Sequence, residues 1–254
     1  MNERLKQEKS YHNEIFSENN PRDEVIGFYS IDRQKTNFIN KLINTYSKNA
    51  SVLEYGCGVN CSAFSIAELS DNVTGIDISD VAVEKNNEQA IKIGIQDILK
   101  FYVMDAHDLG FNDSYFEFIY GNSILHHLNI EKAYGQISRV LKADGHVVFC
   151  EPLKYNPFIW LFRALTPHLR TKDEHPLSIK DLRFAHKFFG TVDFHYFSLF
   201  TLLAIPFKNK KAFNSILGFF ERLDKAAFKW FPFLKKYSWM VVMDLSNPIK
   251  EEKN

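Results

Sequence analysis

The stretch that most constrains this chain is Ser51-Val52-Leu53-Glu54-Tyr55-Gly56-Cys57-Gly58-Val59-Asn60. Ser51 to Tyr55 has the short apolar run of a buried strand, and two glycines end it in a tight turn. From Cys61 the apolar residues recur three and four apart through Ala63-Phe64-Ser65-Ile66-Ala67-Glu68-Leu69, which is helical spacing. Strand, glycine turn and helix make the first half of a βαβ unit of the kind that holds nucleotides. Glycine lacks a Cβ and lets backbone approach a ligand, and the N-terminus of the helix faces it.

In a dinucleotide fingerprint, G-x-G-x-x-G, the third glycine would stand at Cys61, so that pattern is broken. Glu54-x-Gly56-x-Gly58-x-Asn60 instead resembles motif I of the class I S-adenosylmethionine-dependent methyltransferases, written E-x-G-x-G-x-G. Asn60 departs from the motif's third glycine, but asparagine visits left-handed backbone more readily than most side chains. Three further landmarks follow. Asn72 to Ile76 reads as a strand ending at Asp77, nineteen residues past Gly58, close to the ~20 that separate a glycine turn from a ribose-binding acid. Phe101 to Met104 is a strand ending at Asp105-Ala106. Phe116 to Tyr120 is a strand leading to Gly121-Asn122-Ser123-Ile124-Leu125-His126-His127-Leu128. Together these resemble the quinone-biosynthesis type of domain (methyltransferase type 11), from roughly Ser51 to Pro152.

The resemblance implies S-adenosylmethionine as cofactor and S-adenosylhomocysteine as product. Glu54, Tyr55, Gly56, Cys57 and Gly58 would lie against the methionine part, with Asn122 and Ser123 also on the cofactor. Asp77 would accept from both ribose hydroxyls, Ile78 would offer adenine an apolar face, and Asp105-Ala106 would read the adenine edge. His126 and His127 are the catalytic candidates, as bases for an acceptor that must lose a proton. His126 is preferred because it is nearer the strand end; packing or capping is the alternative for both. His107 is read as a surface residue. Tyr11, Tyr29, Tyr155, His168 and His175 are candidates to touch the acceptor. Two other classes remain open, a non-catalytic S-adenosylmethionine-binding scaffold and a nicotinamide-dependent oxidoreductase. Retention of Glu54, Asp77 and Asp105 opposes the first; Cys61 and Asp105-Ala106 oppose the second.

At 254 residues, 45% hydrophobic and 24% charged, the chain can bury one full core with additions. The expected fold is α/β, a doubly wound, seven-stranded, mostly parallel sheet of Rossmann-like type, with an N-terminal helical cap and a helical insert before the last strand. Within one domain, 1–46 would be N-terminal helices, 47–152 the cofactor-binding core, and 153–254 the acceptor side. The remaining strands are read at His146 to Cys150, Thr191 to Tyr196 and Ser238 to Met243. Lys142 to Gly145 is read as a turn, Glu151 to Pro157 as a loop, and Pro167 to Leu177 as either a substrate lid or a solvated connection. Helices are expected over Ile31 to Tyr46, Asp80 to Ile93, Asn129 to Leu141, Phe158 to Leu165 and Ser178 to Phe189.

Net charge of +0 gives no sign of a nucleic-acid surface. Cys57, Cys61 and Cys150 fit buried roles in a reducing compartment, and Cys57-x-x-x-Cys61 lacks a second ligand pair, so no metal is read. Met1-Asn2-Glu3-Arg4 does not look like a signal peptide, and the apolar run Tyr196 to Phe207 is too short to span a bilayer. The expected place is the cytoplasm, as a monomer or homodimer. Phe219, Phe220, Leu223, Ala226, Ala227 and Trp230 recur at helical spacing inside Ser198 to Tyr237. A core-facing helix pair is the preferred reading; an interfacial helix in peripheral contact with a membrane, flanked by Lys208 to Lys211 and Lys235-Lys236, is the alternative. Phe makes up 24 residues, many of them after Pro157, so the small-molecule acceptor is expected to be apolar or amphipathic, methylated on O, N or C.

Overall fold

Strands with apolar residues on both faces need cover on both, and this chain supplies it. The computed structural model describes residues 3–17, 28, 30–59, 61–166 and 175–250. Seven strands form one sheet: β1 (Ser51–Tyr55), β2 (Asn72–Asp77), β3 (Leu99–Val103), β4 (Phe116–Asn122), β5 (Leu141–Pro152), β6 (Phe189–Phe197) and β7 (Met240–Pro248). Their order is β3-β2-β1-β4-β5-β7-β6. The first five pair in parallel, and β7 runs antiparallel to both β5 and β6. This is the doubly wound, mostly parallel fold expected.

Side-chain alternation along the strands separates two cores. Leu53, Ile119, Val147 and Phe149 join one cluster, with Tyr134 and Ile137 of a helix over Ile130–Val140 and Leu182 of another over Ile179–Phe184. Val52, Val73, Phe118 and Val148 join the other, under helices over Arg33–Tyr46, Ala63–Ile66 and Asp80–Lys92. With the N-terminal helix Glu3–Ser17, the helix Pro157–Leu165 and the long helix Phe213–Trp230, these become, in chain order, α1 (Glu3–Ser17), α2 (Arg33–Tyr46), α3 (Ala63–Ile66), α4 (Asp80–Lys92), α5 (Ile130–Val140), α6 (Pro157–Leu165), α7 (Ile179–Phe184) and α8 (Phe213–Trp230).

Several boundaries differ from the sequence reading. Lys142 to Gly145 is not a free turn. It lies inside β5 as an irregular stretch, with Phe116 opposite Leu141 and Phe118 opposite His146. Glu151 and Pro152 are strand, not loop, because they pair with Val241 and Met240 of β7. The helix expected over Ser178 to Phe189 is α-helical only to Phe184 and ends in a 3-10 turn over Ala185–Lys187, since Phe189 is drawn into the sheet opposite Pro248. α3 is a single turn, shorter than its apolar spacing suggested.

The insert departs most. It is one helix, α8, between 3-10 turns over Thr201–Phe207 and Pro232–Tyr237, not a core-facing pair. The buried residues of α8 are Leu217, Glu221, Asp224 and Ala227. Phe219, Leu223 and Trp230 of the apolar stripe are exposed. Polar satisfaction sets this orientation. Asp224 accepts N–H bonds from Leu199, Phe200 and Thr201 and a hydroxyl bond from Thr201, and Glu221 pairs with Arg33. Turning the stripe inward would expose Trp230 to the core but strand those donors.

Gly121 on β4 carries the tightest demand in the sheet. A Cβ there would stand 2.3 Å from the Phe149 ring and 3.0 Å from the Tyr55 carbonyl oxygen, neither of which can retreat from a filled core. Gly121→Ala is expected to lose about 1–3 kcal/mol of stability by overpacking. Urea unfolding of the two proteins measures it, and equal midpoints would show that the Phe149 ring has room to move.

Candidate functional site

The strand order reverses between β1 and β4, and a cavity of about 510 Å³ opens at the carboxyl ends of these strands and of β2. Such a switch point is where open α/β sheets bind ligands, and the volume lies within the ~300–1,000 Å³ of small-molecule sites.

Glu54 organises its floor. The carboxylate is buried and accepts from the backbone N–H groups of Ser62, at 2.9 Å, and Ala63, at 2.5 Å. Those donors open α3, so the expectation that the helix N-terminus faces the ligand is corrected: Glu54 already occupies it. Those two donors are not available to a phosphate. Burial pushes the Glu54 carboxyl up to about 7; the two backbone donors and the Cys61 thiol pull it down, and Asp77 adds a smaller upward push.

Gly56 and Gly58 turn the chain away from Glu54 with φ of +75° and +52°, left-handed values that glycine adopts without strain. A Cβ on Gly56 would also lie 2.7 Å from the Ile124 side chain. Asp77 locks the turn from the next strand. Its Oδ2 accepts from Gly58 N–H at 2.8 Å and its Oδ1 from Ser79 N–H at 2.9 Å, while Ser79 caps α4. Each oxygen retains a lone pair for a further donor.

Asp105 uses Oδ1 for the His107 backbone N–H and the His107 ring, both at 2.9 Å. The His107 Nε2 accepts from Asn129 N–H at 2.9 Å, so the proton sits on Nδ1 and is donated to Asp105. His107 is therefore no surface residue. It lines the cavity and holds Asp105 in place, leaving Oδ2 to accept from a ligand.

Of the cofactor-binding candidates, Glu54, Gly56, Cys57, Gly58, Asp77, Ile78, Asp105, Ala106, Asn122 and Ser123 all line this cavity. Tyr55 does not. Its ring is buried in the core and its hydroxyl donates to the Ala106 carbonyl, so it reaches the site only by positioning Ala106. Ser123 takes φ of +58°, a left-handed conformation that costs a non-glycine residue about 1–3 kcal/mol. Its N–H donates to Cys150 at 2.8 Å, which ties the strained residue to β5.

The two histidines separate. His126 is buried, donates from Nδ1 to Glu151 Oε2 at 2.7 Å, and is absent from the lining; His127 lines the cavity. Glu151 also accepts from Ile124 and Leu125 N–H at 2.9 and 2.8 Å, fixing the 3-10 turn Leu125–His127 that carries both rings. The preference for His126 as the group beside the acceptor is thus not met by its position. Glu151 was missed because an acid after an apolar strand reads as loop, although its place beside Cys150 was visible.

A second miss is the face that α1, the expected N-terminal helical cap, turns to the cavity. Leu5, Glu8, His12 and Phe16 line the cavity, whereas Tyr11, one position off that face, does not. Asn13 fastens α1 to the start of α4 through Ser79 and Asp80, each at 2.6 Å, and Lys9 pairs with Asp80 at 3.0 Å. The i, i+3, i+7, i+11 spacing of the four lining residues was legible, but a helix with so thin an apolar side names no partner. Tyr155 and His175 lie outside the lining; His175 N–H donates instead to the His126 carbonyl at 3.0 Å. Tyr29, His168 and Asn60 lie outside the described residues. No described residue beyond Lys132 lines the cavity, so the Phe-rich region is not its wall.

Among the described residues, four carboxylates, Glu8, Glu54, Asp77 and Asp105, face one lysine, Lys132, around this space. It suits a cationic ligand and repels a diphosphate.

The raised Glu54 carboxyl makes stability depend on pH. A carboxyl lifted from 4.5 to about 7 in the folded state favours folding below its unfolded value, and that advantage is lost as pH rises through about 7. Wild type should lose about 2–3 kcal/mol relative to Glu54→Gln between pH 4.5 and pH 8. Denaturant unfolding of both proteins at the two pH values checks this; parallel profiles would mean that the two N–H donors fully offset burial.

Comparison with known proteins bears on the same residues. Residues 53–149 match the family model described as a methyltransferase domain. A sterol 4-C-methyltransferase of Caenorhabditis elegans is 31% identical over 113 residues, 44% of this chain and 34% of that protein. A sterol 24-C-methyltransferase of Neurospora crassa is 34% identical over 100 residues, 39% of this chain and 26% of that protein. The chain thus spans about a third or less of the length of these relatives. In fold it is similar to a geranyl diphosphate C-methyltransferase from Streptomyces coelicolor A3(2), solved with Mg2+, geranyl diphosphate and S-adenosylhomocysteine. That likeness has a TM-score of 0.64, covers 97% of this chain and 99% of the other, and comes with 14% identity. The family match runs from within β1 to within β5 and so encloses the glycine turn, Asp77 and Asp105; through that stretch the chain is similar to a methyltransferase domain.

Proposed function

We propose that this chain transfers a methyl group from S-adenosylmethionine to a largely apolar or amphipathic small molecule. The observation that carries the reading is the anionic cavity whose helix N-terminus is filled by Glu54. A sulfonium and an ammonium are favoured there, whereas a dinucleotide loses the donors its phosphates need. The cofactor supplies an electrophilic methyl group. Asp77 accepts from the ribose hydroxyls, Asp105 Oδ2 accepts from the adenine amine, and Ile78 covers the adenine face. Gly56 to Gly58 lies along the methionine part. Because displacement at methyl needs alignment above all, the remaining task of the site is to hold a nucleophile in line and exclude water.

The acceptor end has Leu5, Phe16, Ile124 and Leu128 as apolar surface, with His12 and His127 beside them. Apolar surface of this kind contributes ~25 cal/mol per Å² buried. Sterols, named as substrates of two relatives above, are of this class. His127 contacts the acceptor, and His126, held by Glu151, positions it.

The exposed face of the insert supports a membrane as the acceptor's source. Trp230 is 72% exposed, Phe233 64% and, on neighbouring α6, Trp160 66%. The Asn156 side chain at the start of α6 donates to the Tyr237 carbonyl at 2.8 Å, joining α6 to the end of the insert. Both acids of the insert, Glu221 and Asp224, are buried, whereas its lysines and Arg222 are exposed apart from half-buried Lys235. Aromatic rings with a basic rim and no exposed acid match an anionic bilayer surface. Among the described residues no helix is long and apolar enough to cross a membrane.

Calorimetry tests the cofactor. Loss of a charge-assisted hydrogen bond costs ~1.5–3 kcal/mol, so Asp77→Ala should bind S-adenosylmethionine at least tenfold more weakly. Unchanged affinity would remove Asp77 from the ribose. A coupled assay with sterol and prenyl acceptors tests transfer, and cofactor binding without turnover would favour a scaffold. Flotation tests the surface: wild type should rise with anionic vesicles, and a variant with Ser at Lys208, Lys210, Lys211, Lys235 and Lys236 should stay behind. If neither protein floats, the acceptor is not taken at a membrane.

A further inference from the structure

Where α1 closes over the cavity, three side chains from distant parts of the sequence meet. Glu8 and His12 lie one turn apart on α1, and His127 comes from the 3-10 turn after β4. His12 Nε2 stands 3.5 Å from Glu8 Oε2, and His127 Nδ1 stands 3.8 Å from the same oxygen. The three ligand atoms lie within 4.8 Å of one another. All three residues line the cavity.

Glu8 Oε2 is the telling atom. Glu8 is only 8% exposed, yet among the described residues this oxygen accepts no hydrogen bond, and the two imidazoles beside it make only long contacts of 3.5 and 3.8 Å. A buried carboxylate oxygen without a donor is costly, so something has to satisfy it. We propose that Glu8, His12 and His127 bind a divalent first-row transition cation, with its open positions directed into the cavity.

The geometry supports this class. Bonds of about 2.1 Å at tetrahedral angles put ligand atoms ~3.4 Å apart, so the two measured edges are within about half an ångström of that spacing. The edge between the two histidines is the one left to close, and rotation of the His12 ring, whose side chain is 22% exposed, is the available adjustment. Two imidazoles and one carboxylate suit zinc, iron(II) or cobalt(II); magnesium prefers an all-oxygen shell. The sequence hides the site because its ligands sit on α1 and after β4, without the close pair spacing that marks a metal motif. A cation here would take an oxygen of the acceptor and help to orient it. That last consequence rests on the proposed transfer reaction; the cation site does not.

The test therefore uses the full chain, without an affinity tag, freed of metal by a chelator and with no cofactor or acceptor added. Cobalt(II) titration should saturate at one equivalent with visible absorption bands of a nitrogen- and oxygen-ligated ion, and zinc should abolish them by competition. Glu8→Gln and His12→Gln should each weaken cobalt binding at least tenfold, with circular dichroism spectra like that of wild type. His127→Ala serves as the third arm, and where it fails to fold the two α1 variants decide. No saturable binding in wild type, or equal binding in the folded Glu8→Gln and His12→Gln proteins, would overturn the proposal. Displacement of cobalt by equimolar magnesium would overturn the choice of cation class. Cofactor binding measured on the same metal-free protein tells loss of this site from loss of the methyltransferase reading.

Discussion

The Glu54 carboxylate at the start of α3 is the interaction on which the rest of the site depends. Two backbone N–H groups that would otherwise be orphaned at a helix start are satisfied from a strand end. That bond requires the chain between them to double back sharply, which in turn requires positive φ at Gly56 and Gly58. The turn so formed presents Gly58 N–H to Asp77, and the first two strand ends are thereby locked together. Burial disfavours the charge on Glu54, and the two backbone donors offset part of that cost.

The cavity is assembled from two kinds of structure with different rigidity. Its cofactor half rests on parallel strands whose residues are buried on both faces, and Gly75 and Gly121 allow Phe101 and Phe149 to press against the sheet there. Its other half is α1, held by Asn13 and Lys9 to α4, with Phe16 against Gly58. A helix fastened by a few polar contacts opens at lower cost than a strand in a sheet. α1 contributes Leu5, Glu8, His12 and Phe16 to the cavity wall.

What could be read in the sequence was local. The β1 run, the glycine turn, Asp77 at its spacing and Asp105 after β3 each lie within one element and its end, where periodicity and spacing are informative. What could not be read was settled by contacts across the fold. Glu151 looked like loop because nothing in its neighbours reveals pairing with β7. His107 looked exposed because its partner Asn129 is twenty-two residues away. The choice between His126 and His127 was beyond reach, since the two rings lie only 4.2 Å apart and the bond from His126 to Glu151 decides which one is held inside.

The orientation of α8 shows the same limit from the side of energetics. Its apolar stripe suggested burial, and area alone would favour that. Yet Asp224 gathers three backbone donors and a hydroxyl, and Glu221 meets Arg33, so the polar face is the one the protein needs inside. Leaving those donors unpaired would cost ~1–3 kcal/mol each, which opposes the gain from burying the aromatic rings. The consequence is a sorting of charge within a chain whose net charge is +0: the acids of the insert are consumed internally and its bases are left outside. The basic, aromatic face is thus not an independent decoration. It follows from the way Asp224 and Glu221 anchor the helix, so a surface suited to an anionic partner and the packing of the insert are consequences of the same two carboxylates.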